Sequence, residues 1–294
     1  MACASTRRIL ADCACNQGQV LDAVEGTWLA SRELAVAVDK RGVKDTSQVK
    51  FRSCAAKLPP RAYVQLARNV FVASPELSFL QAAEIMSLPQ AVAYGCALCG
   101  TYVLDAVDGL KPLPRAALTS KEKLAAFLDK CQGVRGVKNA RRALQYVLER
   151  SASPRETQVA LLLTLPLALG GYALPAPQLN FRVMVPPELR VLAQRRDFYV
   201  DFFWEEAGVA GEYDSDAFHL ESRERFMDQT KRTALESMGY VTFGITNLQV
   251  SSLVSMDATA EELRKRLKAR KYSRFPANYE EKKRWLRGEL GLPC

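Results

Sequence analysis

Seven consecutive residues, Phe198-Tyr199-Val200-Asp201-Phe202-Phe203-Trp204, limit what this chain can fold into more than any other stretch. Six of the seven are aromatic or β-branched, types that suit a pleated, half-buried surface, so the run predicts a strand. Glu205-Glu206-Ala207-Gly208 reads as a turn, and residues 209–213 as a second strand closing a hairpin. Asp201 then lies inside the first strand, and Glu212 and Asp214 point to one face of the second. His219, the only histidine in the chain, follows closely. A carboxylate within an apolar strand needs a partner, because an unpaired buried charge is costly. Arg195, Arg196, Arg223 and Arg225 offer ordinary ion pairs nearby. A hard cation such as Mg²⁺ is the other answer, since acids on neighbouring strands can converge on one ion as oxygen ligands. On pattern alone both answers stand.

With 294 residues, 48% of them apolar and 25% charged, the chain has the composition of one large or two ordinary globular domains. The formal charge of +9 favours a polyanionic partner, nucleic acid first among them. Eight cysteines include one CxxC, Cys96-Ala-Leu-Cys99, and one CxC, Cys13-Ala-Cys15. A zinc site wants a second ligand pair of regular spacing, so free thiols and a reducing, cytoplasmic setting are expected. Arg7 and Arg8 are not followed by a continuous apolar run, so no secretory signal is expected. Residues 161–169 are apolar but too few to cross a bilayer, and Pro166 interrupts them. No membrane association is expected.

Before the hairpin, residues 19–39 show helical spacing of apolar side chains, while residues 49–52 and 69–73 alternate like strands. Ser74-Pro75-Glu76 opens a helix with proline at its first position and an acid early. Thr119 and Glu122 have capping-box spacing, and a further helix is expected over 140–149. Ser153-Pro154 with Glu156 satisfies helix-start chemistry fully, a helix that Leu169-Gly170-Gly171 should end. Residues 181–185 read as a strand and 257–274 as a basic helix. Three parts are therefore expected: an N-terminal accessory or recognition module over 1–150, a domain over 151–254 carrying the acids, and a basic helical extension over 255–294.

Between residues 264 and 287 stand eleven Lys or Arg against two acids, with Tyr272, Phe275, Tyr279 and Trp285 interleaved. Cations hold phosphates and aromatic rings stack bases. The nucleic-acid candidates are accordingly Arg264, Lys265, Arg266, Lys268, Arg270, Lys271, Arg274 and Trp285.

Val200-Asp201-Phe202, Gly211-Glu212-Tyr213-Asp214 and His219 together resemble the core of PD-(D/E)XK nuclease-like domains, closest to proteins of the very-short-patch-repair endonuclease-like kind. The similarity extends over about 151–252, including the helix at Ser153, a helix from Lys231 to a Met-Gly-Tyr end, and a strand at 241–246. It implies an α/β fold, a mixed sheet flanked by helices, beside a mostly helical N-terminal module. It implies metal-dependent hydrolysis of DNA, with Mg²⁺ or Mn²⁺ held by Asp201, Glu156 and Glu212. His219 would act as general base, with Glu212 or Asp214 assisting and Lys231 replacing a signature lysine whose usual position holds Asp214. The repair-endonuclease branch also lacks that lysine, so both an active and an inactive domain fit. Val72-Ala73-Ser74-Pro75-Glu76-Leu77 resembles a segment of AbiEi-type antitoxin and regulator proteins, although the first 60 residues show no helix-turn-helix. That resemblance implies a catalytically inactive DNA-binding regulator as the alternative. A protein partner or a second copy, in phage defence or mobile-element biology, is the third class.

Overall fold

The computed structural model describes residues 34–38, 49–53, 58–67, 70–104, 112–214 and 222–293. Two strands come first, β1 (Leu34–Val38) and β2 (Val49–Ser53), paired parallel. The helical spacing expected over 19–39 is thus corrected at its end. Leu-Ala-Val-Ala-Val suits either period, and the parallel partner decides for strand. β3 (Tyr63–Ala67) and β4 (Val70–Ala73) form an antiparallel pair, as do β5 (Tyr102–Leu104) and β6 (Pro112–Pro114). Among the described residues four helices follow in this half: α1 (Pro75–Ile85), α2 (Leu88–Cys99), α3 (Lys121–Asp129) and α4 (Val137–Leu144).

Serine starts most of the longer helices. Ser74, Ser87, Ser120 and Ser153 each accept a hydrogen bond from a first-turn amide, satisfying a donor the helix itself leaves orphaned. The cap of α3 is Ser120 rather than the expected Thr119, whose hydroxyl donates to Glu76 Oε1 at 2.5 Å. α4 stops at Leu144, short of the expected 149, as Tyr146 and Val147 turn back to Ala143 and Leu144 in tighter bonds.

α5 (Pro154–Thr164) follows, then β7 (Gln178–Met184), a short α6 (Arg190–Ala193), β8 (Asp197–Trp204), β9 (Val209–Asp214), α7 (Ser222–Ser237) and β10 (Val241–Thr246). α5 ends five residues before the expected Leu169, because Pro166 pushes Leu165 out of the helical region (ψ 147°). The four strands make one mixed sheet in the order β10-β9-β8-β7. β7, β8 and β9 form an antiparallel meander, and β10 joins β9 parallel. Strand alternation sends Phe202, Trp204 and Val209 into the main core and Phe203 and Ala210 into a smaller cluster with Leu235 of α7. The sheet is thereby flanked by helices on both faces.

The chain closes with α8 (Asn247–Ser251), α9 (Leu253–Arg266) and α10 (Tyr279–Glu289). α9 starts earlier and ends earlier than the basic helix expected over 257–274. Nor is this region an extension: Leu263, Leu286, Leu290 and Leu292 are buried in the same cluster as Phe79, Val92 and Leu161. The expected boundary at 150–151 is crossed by Thr101 N–H donating to Ser151 O. Cys96, Cys99 and Cys131 are buried free thiols, and burial pushes both CxxC thiols up to about 12. No helix among the described residues is long and apolar enough to cross a membrane.

α10 reaches the core through a close approach that only glycine permits. Gly170 has φ +87°, and a Cβ there would lie 2.2 Å from Lys282 O of α10. Gly170→Ala combines a strained backbone with overpacking, each costing roughly 1–3 kcal/mol. Urea unfolding should show a loss of about 3 kcal/mol, an order set by those two terms. A loss near that of an ordinary surface substitution would mean that α10 docks by other means.

Candidate active site

The carboxylates collect where β8 and β9 separate. The ladder pairs Phe202 with Gly211, so one step further sets Asp201 across from Glu212. There the backbone pairing stops, and Tyr213 N–H donates instead to Asp201 Oδ2 at 2.8 Å. Val200 and Phe203 both pack into the cluster beneath α7, so strand alternation breaks at Asp201, while Glu212 shares a face with Ala210 on the side that α7 covers. Lys231 of α7 reaches across, its Nζ 2.5 Å from Glu212 Oε2. The other oxygen, Glu212 Oε1, is buried and has no hydrogen-bond partner among the described residues. Asp214, at the end of β9, pairs with Thr246 in register and is exposed. Its Oδ2 lies 3.3 Å from where a Cβ on Gly244 would stand, so glycine leaves it room.

Glu156 comes in from α5. It is 8% exposed, and its Oε2 accepts from Ala152 N–H and from Asn180 Nδ2, both at 2.8 Å. Asn180 was not foreseen, since its strand was expected to start at Phe181. In β7 the register pairs Leu179 with Phe202 and Phe181 with Val200, skipping Asn180. Asn180 stands there at φ +47°, a left-handed conformation that asparagine tolerates better than most side chains. The kink delivers its amide to Glu156. The available signal was a polar residue inside Leu179-Asn180-Phe181, a place where an asparagine needs a reason.

Electrostatics follow from this crowding. Burial, then the charge of Asp201, push the Glu212 carboxyl up to about 8, against the opposing pull of Lys231. Burial raises Asp201, helped by Asp214 and opposed by the Tyr213 amide and Lys231. Glu156 is raised by burial and by Asp201, and Asp214 by burial and by Asp228 of α7. These shifts mark groups whose ionised form the fold holds at a cost, a common property of functional sites.

Among the described residues no three His, Cys, Asp or Glu side chains converge as a metal-ligating group. Asp201 and Glu212 are neighbours, Asp214 lies at the open end, and Glu156 enters through Asn180 from the opposite helix. His219 lies outside the described residues. The basic candidates divide. Arg264 is buried and donates to Tyr172 O and Arg270 O, so it is a structural residue rather than a phosphate contact. Lys265 and Arg266 pair with Glu262, and Arg266 also donates to Thr242 O. Lys268, Arg270, Lys271 and Arg274 are exposed, and Trp285 is 44% exposed on α10.

Two grooves lie elsewhere, one of about 500 Å³ by the β8–β9 turn and one of about 830 Å³ between α9 and α10. A scan against protein-family models found no match, and searches of curated proteins and of solved structures found none either.

Two measurements bear on it. The Glu212 carboxyl is raised from 4.5 to about 8, so the stability this gives is complete below pH 4.5 and is lost as pH rises through 8. Thermal melts from pH 5 to 9 should show the wild type losing stability relative to Glu212→Gln; a constant difference would place Glu212 in the ordinary carboxylate range. Asn180→Ala removes a donor from a buried carboxylate in a left-handed position and should cost roughly 1–3 kcal/mol. Asn180→Gly relieves the backbone and should cost less, as chemical denaturation will report. Equal costs would remove the kink from the argument.

Proposed function

We propose that residues 151–252 form a PD-(D/E)XK-like domain that hydrolyses phosphodiester bonds of DNA with a divalent cation. The observation that carries this is Glu212: one oxygen is buried without a partner while the other holds Lys231 at 2.5 Å. An all-oxygen set suits a hard ion such as Mg²⁺ or Mn²⁺, and the orphaned oxygen is a position such an ion would satisfy. Asp201 and Glu212 would hold it directly, and Asp214 or Glu156 through water. When bound, the cation supplies Lewis acidity toward the phosphate and its attacking water. Lys231 is placed to balance negative charge beside Glu212, the part the resemblance gives to a lysine on β9. Asn180 Nδ2 and Ala152 N–H fix the Glu156 carboxylate by two hydrogen bonds. The order of α5, the β8–β9 hairpin, α7 and β10 is the one the resemblance implies. General-base work falls to His219 on the same ground.

A second reading, an inactive DNA-binding regulator, has one observation in its favour. The Lys231–Glu212 pair already balances Glu212 without a cation.

One comparison separates the two. Cleavage of plasmid or oligonucleotide DNA should depend on Mg²⁺ or Mn²⁺, and Asp201→Asn should lower it by at least about a hundredfold, the scale of losing one charge-stabilising group. The Asn oxygen can still accept from Tyr213 N–H, so the melting curve should change little. Metal-independent duplex binding with no cleavage by the wild type would support the regulator instead, and equal cleavage by both proteins would remove Asp201 from the site.

A further inference from the structure

The groove between α9 and α10 is walled by rings. Tyr172, Tyr272, Phe275 and Tyr279 line its volume of about 830 Å³, within the range of small-molecule sites. Phe275 and Tyr279 stack with centroids 5.1 Å apart and planes at 23°, yet Phe275 is 57% exposed. The platform is fixed from beneath, because Tyr279 donates from its hydroxyl to Gly171 O at 2.8 Å. Tyr272 is held by the guanidinium groups of Arg264 and Arg270, 5.3 and 5.9 Å from its centre.

Charge selects the ligand. Asp257, Glu261, Glu280 and Glu281 also line the groove. Three of these are balanced internally: Lys283 holds Asp257 at 2.8 Å and Glu280 at 2.7 Å, and Arg264 stands 3.5 Å from Glu261. On the loop joining α9 to α10, Arg270, Lys271 and Arg274 are exposed and form no ion pair among the described residues, and Lys271 lines the groove. The loop therefore presents uncompensated positive charge beside an open aromatic face, which is complementary to a polyanion that carries flat rings. A duplex keeps its base faces stacked inside and offers only phosphates and edges. An unpaired strand offers both phosphates and ring faces.

We propose that this groove binds single-stranded nucleic acid, with a base stacked on the Phe275–Tyr279 platform and the flanking phosphates held by Lys271 in the groove and by Arg270 and Arg274 of the same loop. The assignment deepens the hydrolytic reading by fixing the strandedness of the ligand. It also stands apart from that reading, because none of the carboxylates at the β8–β9 hairpin lines the groove.

The test is fluorescence polarisation with a labelled oligothymidylate and a duplex of equal length, in EDTA so that no metal contributes. The wild type should bind the single strand about tenfold more tightly than the duplex, a usual worth of one stacked base. Phe275→Ala should lose that preference, Phe275→Tyr should keep it, and Lys271→Gln with Arg274→Gln should flatten the dependence on salt. Phe275 is a surface ring, so an unchanged melting curve will show that the Ala variant is folded. Asp201→Asn should bind like the wild type, which separates this proposal from the hydrolytic one. Equal binding of an oligouridylate would support the groove, since stacking does not read the sugar. Binding of neither strand form, equal binding of the duplex, or wild-type affinity in Phe275→Ala would overturn it.

Discussion

Taking carboxylates out of water is the constraint around which this molecule is arranged. Glu156, Asp201 and Glu212 feel one another's charge around the point where β8 and β9 part, and each is pushed toward its neutral form by burial. The surroundings offset this one group at a time. Tyr213 gives Asp201 a backbone donor, Lys231 gives Glu212 a charge, and Asn180 with Ala152 gives Glu156 two donors. Glu212 Oε1 alone among these oxygens is buried without a partner in the described structure. The carboxylates beside it are compensated, and this one acceptor is left bare, which is uncommon for a buried polar atom.

The sheet makes this crowding mechanically affordable. Aromatic packing on the α7 face, with Phe181 stacked on Phe203 and Tyr240 edge-on, holds the hairpin firmly while its open end diverges. The left-handed kink at Asn180 sits directly opposite that divergence, in the strand beside Asp201. Strain of this sort persists only where surrounding packing over-determines it, and it clusters at sites that do work.

Positive charge follows a different logic at the C-terminal end. Arg287 is 1% exposed and donates to Val250 O and Pro293 O, while Arg264 donates to Tyr172 O and Arg270 O. Arginine suits this task because its planar fork serves several carbonyls at once. Lys283 is likewise enclosed, between Asp257 and Glu280. These cations bolt α9 and α10 to the core. Lys268, Arg270, Lys271 and Arg274, on the loop between the helices, stay exposed instead. A count of lysines and arginines along the sequence cannot separate the two groups, because both have the same composition and near-identical spacing.

Local chemistry was legible in the sequence. Ser153-Pro154 had to start a helix, Phe198 to Trp204 had to be a strand, and the alternation along residues 209–214 had to set Glu212 and Asp214 on one face, because each rests on short-range sterics, hydrogen bonding and a fixed period. The acids of the hairpin were named on that basis, and Lys231 on the resemblance alone. The tertiary structure decided what depends on distant partners. Whether Leu34–Val38 became helix or strand turned on pairing with Val49–Ser53, and whether residues 255–294 became an appendage or core turned on the close approach at Gly170. It also decided that Asn180 would bend β7 toward Glu156, and that Arg264 would be a buried strut while Arg274 stayed in water. A sequence fixes which side chains can ionise, stack or cap; only packing determines which of them are left dry, and dryness is what turns an ordinary glutamate such as Glu212 into one with a pKa of about 8.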